Sequence, residues 1–228
     1  MKVLVSDNLG DVGIEMLEAE EGIAVDVRTG LAPAALVAAI GDYDGLIIRS
    51  ATQVTDDVLS AGNRLKVVGR AGIGLDNVDV AAATRHGVVV MNTPDGNVIT
   101  TAEHAIAMLM ALARNVPQGT TSLRVGRWDK KLLQGREICG KILGVIGFGK
   151  ICSIVADRAR GLQLQVMVYD PHVNPERIKK AGFKTVELAE LYRSSDFITI
   201  HVPKLKDTIG MIDQAAFAQM KDGVMLVN

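Results

Sequence analysis

The chain has 228 residues, of which 48% are hydrophobic, and its 25 lysines and arginines nearly balance 26 aspartates and glutamates. The apolar fraction excludes a disordered chain, and the net charge of -1 gives no electrostatic support for binding nucleic acid or an anionic membrane. The two cysteines, Cys139 and Cys152, exclude a disulfide framework and a cysteine-rich metal site, so we expect a cytoplasmic protein without a metal.

Neither the start of the chain nor its apolar stretches predict targeting to a membrane. Met1–Asp7 is too short and too polar for a signal peptide. The longest strongly apolar stretch, Ala105–Ala113, covers about half of a membrane span.

The length of the whole chain is sufficient for one large domain or two small ones.

Short apolar runs alternate with helix-like segments in the first half of the chain. The predicted strands are Lys2–Ser6, Ile23–Val27, Gly45–Arg49, Leu65–Gly69 and Val88–Met91. The predicted helices between them are Ile14–Glu20, Ala34–Ile40, Asp56–Ala61 and Val80–His86. Continuous apolar runs are typical of strands buried on both faces, and strands separated by helices predict a parallel sheet. We therefore expect a first α/β domain over residues 1–97.

A long helix is predicted next, over Asn97–Val116. Thr100 and Glu103 have the spacing of a capping box, and Pro117 would end the helix. Because Ala105–Ala113 is apolar on every face, we expect this helix to be buried on all sides, between domains or at a subunit contact. Residues 98–118 are therefore assigned as a connecting or dimer helix. His104 is interpreted as a core histidine.

The second half repeats the alternation of strands and helices. After the polar segment Gly119–Lys141, strands are predicted at Ile142–Ile146, Gln165–Tyr169, Lys184–Val186, Phe197–Val202 and Val224–Val227. Residues 98–228 are therefore assigned to a second α/β domain.

A glycine loop follows the first of these strands and opens a helix. Gly147 would allow a tight turn, and Gly149 would let backbone N–H groups approach a pyrophosphate at the helix N-terminus. Cys152 occupies the third position of the motif, where glycine is usual. The next strand ends in Asp170, where an acid would bind the ribose hydroxyls, and no arginine follows it directly. This combination predicts a site for NAD rather than NADP.

Two arginines lie at the carboxyl ends of predicted strands in the first half, where open α/β sheets bind ligands. Arg49 follows Gly45–Ile48, and Arg70 precedes Gly72 and Gly74, whose backbone N–H groups can form an anion-binding nest. Guanidinium groups beside such a nest suit a carboxylate or a phosphate. The alternative is that each arginine pairs with a surface acid.

Other polar residues receive simpler interpretations. Asp76 and Asp79 are expected to cap helices, and His86 and His172 to be solvated. His201 ends a strand of the second half, so its surroundings are expected to face the cofactor.

At these residues the sequence resembles the D-2-hydroxyacid dehydrogenase family, and within it the phosphoglycerate branch. The matching segments are Arg49–Thr52, Gly69–Asp79, Asn92–Asn97, Ala102–His104, Gly126–Asp129, Gly147–Cys152 and His201–Pro203. The resemblance implies a flavodoxin-like substrate domain, a Rossmann-type doubly wound NAD domain and a cleft between them. The implied reaction is the NAD-dependent oxidation of 3-phospho-D-glycerate, the entry to serine biosynthesis.

The resemblance also implies residue roles. The anionic groups of the substrate would be held by Arg49, Ser50, Arg70, Ala71, Gly72, Ile73, Gly74 and Asn97. The cofactor would be held by Ile73, Gly147, Gly149, Lys150, Ile151, Asp170, His201, Val202 and Pro203. The segment Trp128–Lys131 would lie near a homodimer contact.

The same resemblance implies that the catalytic Arg, Glu and His lie beyond Asn228, with the NAD sheet incomplete at its C-terminus. We therefore expect no dehydrogenase activity from these residues alone and assign no catalytic residue within them. Two alternatives remain open: another D-2-hydroxyacid enzyme, such as a glyoxylate or hydroxypyruvate reductase, and a non-catalytic NAD-binding sensor or interaction module.

Overall fold

The computed structural model describes residues 1–228 and divides the chain into two compact units, Met1–Asn97 and Val98–Asn228. Each unit has one parallel five-stranded sheet. The predicted α/β class is therefore confirmed. None of the helices is long and apolar enough to cross a membrane.

In the first unit, every strand but the last is followed by a helix or helical turn. The strands are β1 (Lys2–Val5), β2 (Ala24–Val27), β3 (Gly45–Ile48), β4 (Val67–Arg70) and β5 (Val89–Asn92). The helices are α1 (Asp11–Glu18), α2 (Pro33–Ala39), α3 (Asp56–Ala61) and α4 (Val80–Arg85), with a short 3-10 helix at Ile40–Asp42. The strand order β2-β1-β3-β4-β5 is that of a flavodoxin-like sheet, as the resemblance implied.

Burial in this sheet decreases from its centre to its edges. The central β1 and β3 carry fully buried side chains such as Leu4, Leu46 and Ile48. The prediction that all five strands are buried on both faces is wrong for β2 and β5, which have no buried residue. These two are the edge strands, so each has a neighbour on one side only and is less covered.

The second unit begins with two helices and continues into its own sheet. The helices are α5 (Val98–Ala113), α6 (Val116–Arg124), α7 (Lys150–Gly161), α8 (Pro175–Lys180), α9 (Leu188–Ser194) and α10 (Gln214–Phe217). The strands are β6 (Ile142–Ile146), β7 (Gln165–Tyr169), β8 (Lys184–Thr185), β9 (Phe197–Ile200) and β10 (Met225–Val227). The order β10-β9-β6-β7-β8 places the first strand centrally: β7 and β8 are added on one side of it and β9 and β10 on the other, which is the Rossmann arrangement.

The connecting helix expected over residues 98–118 is two helices instead. Asn115 adopts a left-handed conformation, with φ 52°, and this breaks the helical path between α5 and α6. Pro117 lies in the first turn of α6 rather than after a helix, because a proline there loses no hydrogen bond. Likewise, Thr100 lies inside α5 and does not cap it, since the helix begins at Val98.

Helix α5 is buried on one side only, so the expectation of burial on all sides is wrong within this chain. Its buried residues recur at helical spacing: Val98, Ala102, Ala105, Leu109 and Ala113. The opposite face exposes several large apolar side chains, and His104 is exposed rather than a core residue.

Candidate functional site

The glycine loop between β6 and α7 has the conformation that a dinucleotide-binding turn requires. Gly147 has φ +96°, and a Cβ there would lie 2.8 Å from Val202 Cγ1, so a side chain is excluded by both backbone and space. Phe148 is buried, with its ring edge-on to Phe183 at 5.8 Å between centroids. A Cβ on Gly149 would meet no atom within 4 Å, so the backbone at the start of α7 is open to a ligand.

Asp170, immediately after β7, is held against this loop by backbone N–H groups. Its Oδ2 accepts a hydrogen bond from Phe148 N at 2.7 Å. Its Oδ1 accepts hydrogen bonds from His172 N at 2.8 Å and Val173 N at 3.1 Å. The carboxylate is therefore fixed beside the glycine loop, on the strand end where an acid binds ribose hydroxyls.

Cys152 fits the third position of the glycine motif. Its thiol is fully buried and lies 3.6 Å from the carbonyl oxygens of both Ile146 and His201. Burial raises the pKa of the thiol to about 12, so it remains protonated and unreactive at neutral pH. The side chain is thus a packing group between the ends of β6 and β9.

His201, just after β9, is half-buried, and its Nε2 lies 2.8 Å from Thr199 Oγ1. Burial lowers the pKa of the imidazole below its ordinary value, so the ring is neutral at pH 7.

A cavity of about 570 Å³ opens on these strand ends. Among its lining residues are six of the predicted cofactor residues: Gly147, Gly149, Asp170, His201, Val202 and Pro203. Lys150 and Ile151 lie in the adjoining first turn of α7 and do not line it, and Ile73 belongs to the first unit. The glycine turn, the open helix start and the fixed carboxylate fit a dinucleotide with diol riboses.

In the first unit, Arg49 follows β3 and Arg70 ends β4, two neighbouring strands in which Ile48 pairs with Arg70. Arg49 is exposed, and its Nη1 donates a hydrogen bond to the backbone oxygen of Asn8 at 3.2 Å. Neither arginine forms an ion pair with a carboxylate. The alternative that each arginine pairs with a surface acid is therefore wrong.

The guanidinium of Arg70 lies across Gly72. A Cβ at Gly72 would be 2.8 Å from Arg70 Cζ and closer still to Nη1, so only glycine fits this arrangement. The Nε of Arg70 is buried and has no hydrogen-bond partner. An anion that reaches this guanidinium would find a donor, Nε, without a partner in the protein.

In the backbone after Arg70, the carbonyl oxygens are used by the fold, whereas two N–H groups are left free. Gly72 O accepts a hydrogen bond from Thr93 N at 3.0 Å, and Ile73 O accepts one from Asn92 Nδ2 at 2.7 Å. The N–H groups of Ile73 and Gly74 make no hydrogen bond within the protein, which leaves them available to an anion. Ala71 N, in contrast, donates to Ile48 O at 2.8 Å and is used by the fold. Ser50 and Asn97 are exposed.

The remaining polar residues have structural roles. Asp79 caps α4 by accepting from Ala82 N at 2.8 Å, as predicted, whereas Asp76 does not lie at a helix N-terminus. His86, predicted to be solvated, lies 3.0 Å from Asp56 Oδ1.

Two residues that sequence reasoning missed organise the loop around Arg49. Asp7 and Asn77 are buried, with 6% and 4% of their surfaces exposed, and both hydrogen-bond to this loop. Asp7 immediately follows the predicted strand Lys2–Ser6, so its place at a strand end was the available signal.

Comparison with known proteins agrees with this geometry. Residues 106–228 match the family model described as D-isomer specific 2-hydroxyacid dehydrogenase, NAD binding domain. The D-3-phosphoglycerate dehydrogenase of Archaeoglobus fulgidus is 44% identical over 228 residues, which is all of this chain and 43% of that relative. The chain thus spans less than half the length of this curated relative.

Solved structures show the same fold over the whole chain. D-lactate dehydrogenase from Aquifex aeolicus, complexed with NAD and lactic acid, is 27% identical with a TM-score of 0.85, covering 100% of this chain and 68% of that one. A glyoxylate reductase from Paecilomyes thermophila is 26% identical with a TM-score of 0.88, covering 100% and 72%. The family model matches more than half of the chain and names its NAD-binding domain. The chain therefore belongs to the D-isomer specific 2-hydroxyacid dehydrogenase family.

Proposed function

We propose that this chain provides the NAD site and the anionic-substrate site of a D-3-phosphoglycerate dehydrogenase. The reaction is the NAD-dependent oxidation of 3-phospho-D-glycerate to 3-phosphohydroxypyruvate, the first step of serine biosynthesis. The observation that carries the proposal is the pair of guanidinium groups, Arg49 and Arg70, at neighbouring strand ends without a carboxylate partner.

The charge of the substrate explains why two arginines are needed. 3-Phosphoglycerate carries a carboxylate at one end and a phosphate at the other, and each can accept charge-assisted hydrogen bonds from a guanidinium. The free N–H groups of Ile73 and Gly74 supply two further donors at the same sheet edge. Ser50 and Asn97 are proposed to contribute polar contacts from exposed positions.

On the second unit, the glycine loop and Asp170 are proposed to hold the cofactor. Gly149 opens the start of α7 to the pyrophosphate, and Asp170 accepts hydrogen bonds from ribose hydroxyls. When bound, NAD supplies the hydride acceptor for the oxidation. No residue of the chain is assigned as the proton carrier: His201 is hydrogen-bonded to Thr199, and His104 is placed on the exposed face of α5.

We also infer that the protein is cytoplasmic and forms a homodimer or a higher homo-oligomer. The second unit exposes a set of large apolar side chains on α5, α6 and the segment after them: Ile99, Met108, Leu112, Val116, Leu123, Val125, Trp128 and Leu132. A set of exposed large apolar side chains such as this one is typical of a protein–protein interface, and the proposal of a subunit contact rests on it.

A second candidate is a glyoxylate or hydroxypyruvate reductase, which the fold similarity to the Paecilomyes glyoxylate reductase favours. A substrate without a phosphate would need only one of the two arginines. The 44% identity to a curated D-3-phosphoglycerate dehydrogenase supports the phosphoglycerate assignment instead.

The test compares 3-phosphoglycerate with glyoxylate in calorimetric titrations of the protein and of its Arg49→Ala variant, with NADH titrated as a control. We expect Arg49→Ala to weaken 3-phosphoglycerate binding about tenfold or more, the value of one charge-assisted hydrogen bond, and to leave NADH binding unchanged. Unchanged phosphoglycerate binding would reject the proposed substrate. A second assay measures turnover of 3-phosphoglycerate by the intact protein as the organism makes it. Turnover would identify an enzyme, and its absence an NAD-binding sensor.

A further inference from the structure

The loop Arg49–Thr52 has no regular secondary structure, yet its backbone is held by two buried side chains from distant parts of the first unit. On one side, Asp7 accepts hydrogen bonds from the loop's N–H groups. On the other side, Asn77 donates to the loop's carbonyl oxygens. A loop at a sheet edge has no neighbouring strand to satisfy these groups, so the two side chains take over that role.

Asp7 accepts hydrogen bonds from the backbone N–H groups of Arg49, Ala51 and Thr52 and from the Thr52 hydroxyl. Its Oδ2 lies 2.6 Å from Arg49 N and 3.2 Å from Ala51 N, and its Oδ1 lies 2.6 Å from Thr52 Oγ1. Burial alone would raise the pKa of Asp7, but the hydrogen bonds from Thr52, Arg49 and Ala51 outweigh burial, and the pKa is lowered. The carboxylate is therefore ionised at neutral pH and acts only as an acceptor.

The side chain of Asn77 complements this as a donor. Its Nδ2 donates to Arg49 O at 2.8 Å and to Thr52 O at 2.6 Å, while its own backbone oxygen accepts from Val54 N at 2.8 Å. The residue thus ties both ends of the loop to the segment that precedes α4.

The side chain of Arg49 is directed by the same strand end. Its Nη1 donates to the backbone oxygen of Asn8, the residue next to Asp7. Because β1 pairs with β3, Asp7 and Asn8 reach Arg49 directly from the neighbouring strand. One two-residue segment therefore hydrogen-bonds to both the backbone N–H and the guanidinium of Arg49.

We propose that Asp7 and Asn77 are positioning residues that orient Arg49 toward the anionic substrate, without contacting the substrate themselves. The inference rests on the proposed function, in which Arg49 binds an anionic group of 3-phosphoglycerate. On this basis, the affinity for the anion depends on the buried carboxylate of Asp7. This group has the same sign of charge as the substrate and acts through the Arg49 loop.

The test is a double-mutant cycle of Asp7→Asn and Arg49→Ala, with calorimetric titration of 3-phosphoglycerate into the protein. An asparagine at position 7 turns one acceptor into a donor that faces N–H groups, so we expect about a tenfold loss of affinity from Asp7→Asn alone. In the double variant we expect no loss beyond that of Arg49→Ala, because Asp7 acts through Arg49. Independent, additive losses would mean a general structural role and would overturn the inference.

The cycle separates this inference from the proposed function. If Arg49→Ala itself leaves 3-phosphoglycerate binding unchanged, the proposed function fails. If Arg49→Ala weakens binding but Asp7→Asn does not, only the positioning role fails. Thr52→Val removes the hydroxyl donor to Asp7 while keeping the side-chain shape, and it serves as a milder variant should Asp7→Asn fold poorly. We expect it to weaken binding in the wild-type background and to have no effect beside Arg49→Ala.

Discussion

Gly72 lies directly under the guanidinium of Arg70, so a single added methyl group tests the anion site. In Gly72→Ala, the new Cβ would be 2.8 Å from Arg70 Cζ. Carbon atoms in ordinary contact are about 3.5–4.0 Å apart, and Nη1 would be closer to the new Cβ than Cζ is, so the guanidinium must move by about 1 Å or more. The backbone of Gly72 is not in the left-handed region, so alanine is compatible with the local conformation.

The cost should fall on binding and not on folding. The clash is with the end of a flexible side chain, which can move away without disturbing the core. If the displaced guanidinium loses one hydrogen bond to the anion, about 1.5–3 kcal/mol is lost. At about 1.4 kcal/mol for each factor of ten, the affinity for 3-phosphoglycerate should fall by about 10- to 100-fold.

The measurement is a calorimetric titration of 3-phosphoglycerate, with thermal melting of the same variant to check the fold. Gly69→Ala is the matched control: it lies on β4, the strand that ends in Arg70, and its Cβ would meet only Ile47 Cγ1 at 3.8 Å, an ordinary contact. We expect the control to bind like the wild type. If Gly72→Ala also binds 3-phosphoglycerate with wild-type affinity, Arg70 does not hold the anion and the assignment is refuted.

Three further outcomes are expected. Gly144→Ala places a Cβ 2.6 Å from Leu191 Cδ2 in the core of the second unit, so thermal melting should show a loss of about 1–3 kcal/mol from overpacking; a stability equal to wild type would contradict this. The pKa of Asp7 lies below its ordinary 3.8, so its stabilisation is present above the unfolded pKa and is lost as the pH falls through the folded pKa. Denaturation of Asp7→Asn between neutral pH and about pH 2 should therefore show lower stability at neutral pH and a smaller loss in acid, and a parallel loss would refute the role of the ionised form. Mass spectrometry after brief iodoacetamide treatment should find Cys139 labelled and Cys152 unlabelled until the protein is denatured, because Cys152 is buried with a pKa of about 12; rapid labelling of native Cys152 would contradict its packing role.

The local features of the sequence determined most of the strands and the positions of the charged groups. Continuous apolar runs predicted Ile142–Ile146 and Gln165–Tyr169 with the bounds that the structure has, because burial of a central parallel strand selects such runs. Arg49 and Arg70 could be placed at the carboxyl edge of the sheet for the same reason, since each directly follows or ends such a run.

Features that depend on neighbours could not be predicted in the same way. The edge positions of β2 and β5 follow from strand order, which no single strand encodes. The one-sided burial of α5 depends on what packs against it, since its composition is apolar on every face. The break at Asn115 depends on one residue taking a left-handed conformation that asparagine tolerates but does not require.

The sequence by itself therefore determined which segments form most of the strands and which charged groups lie at the strand ends. Only the tertiary structure decided which polar groups meet. Asp7 reaches Arg49 across 42 residues of chain and Asn77 reaches it across 28, and the pairing of β1 with β3 makes the first of these contacts possible. Hydrogen bonds between residues so far apart leave no periodic trace in the sequence, because they depend on register and burial rather than on local conformation.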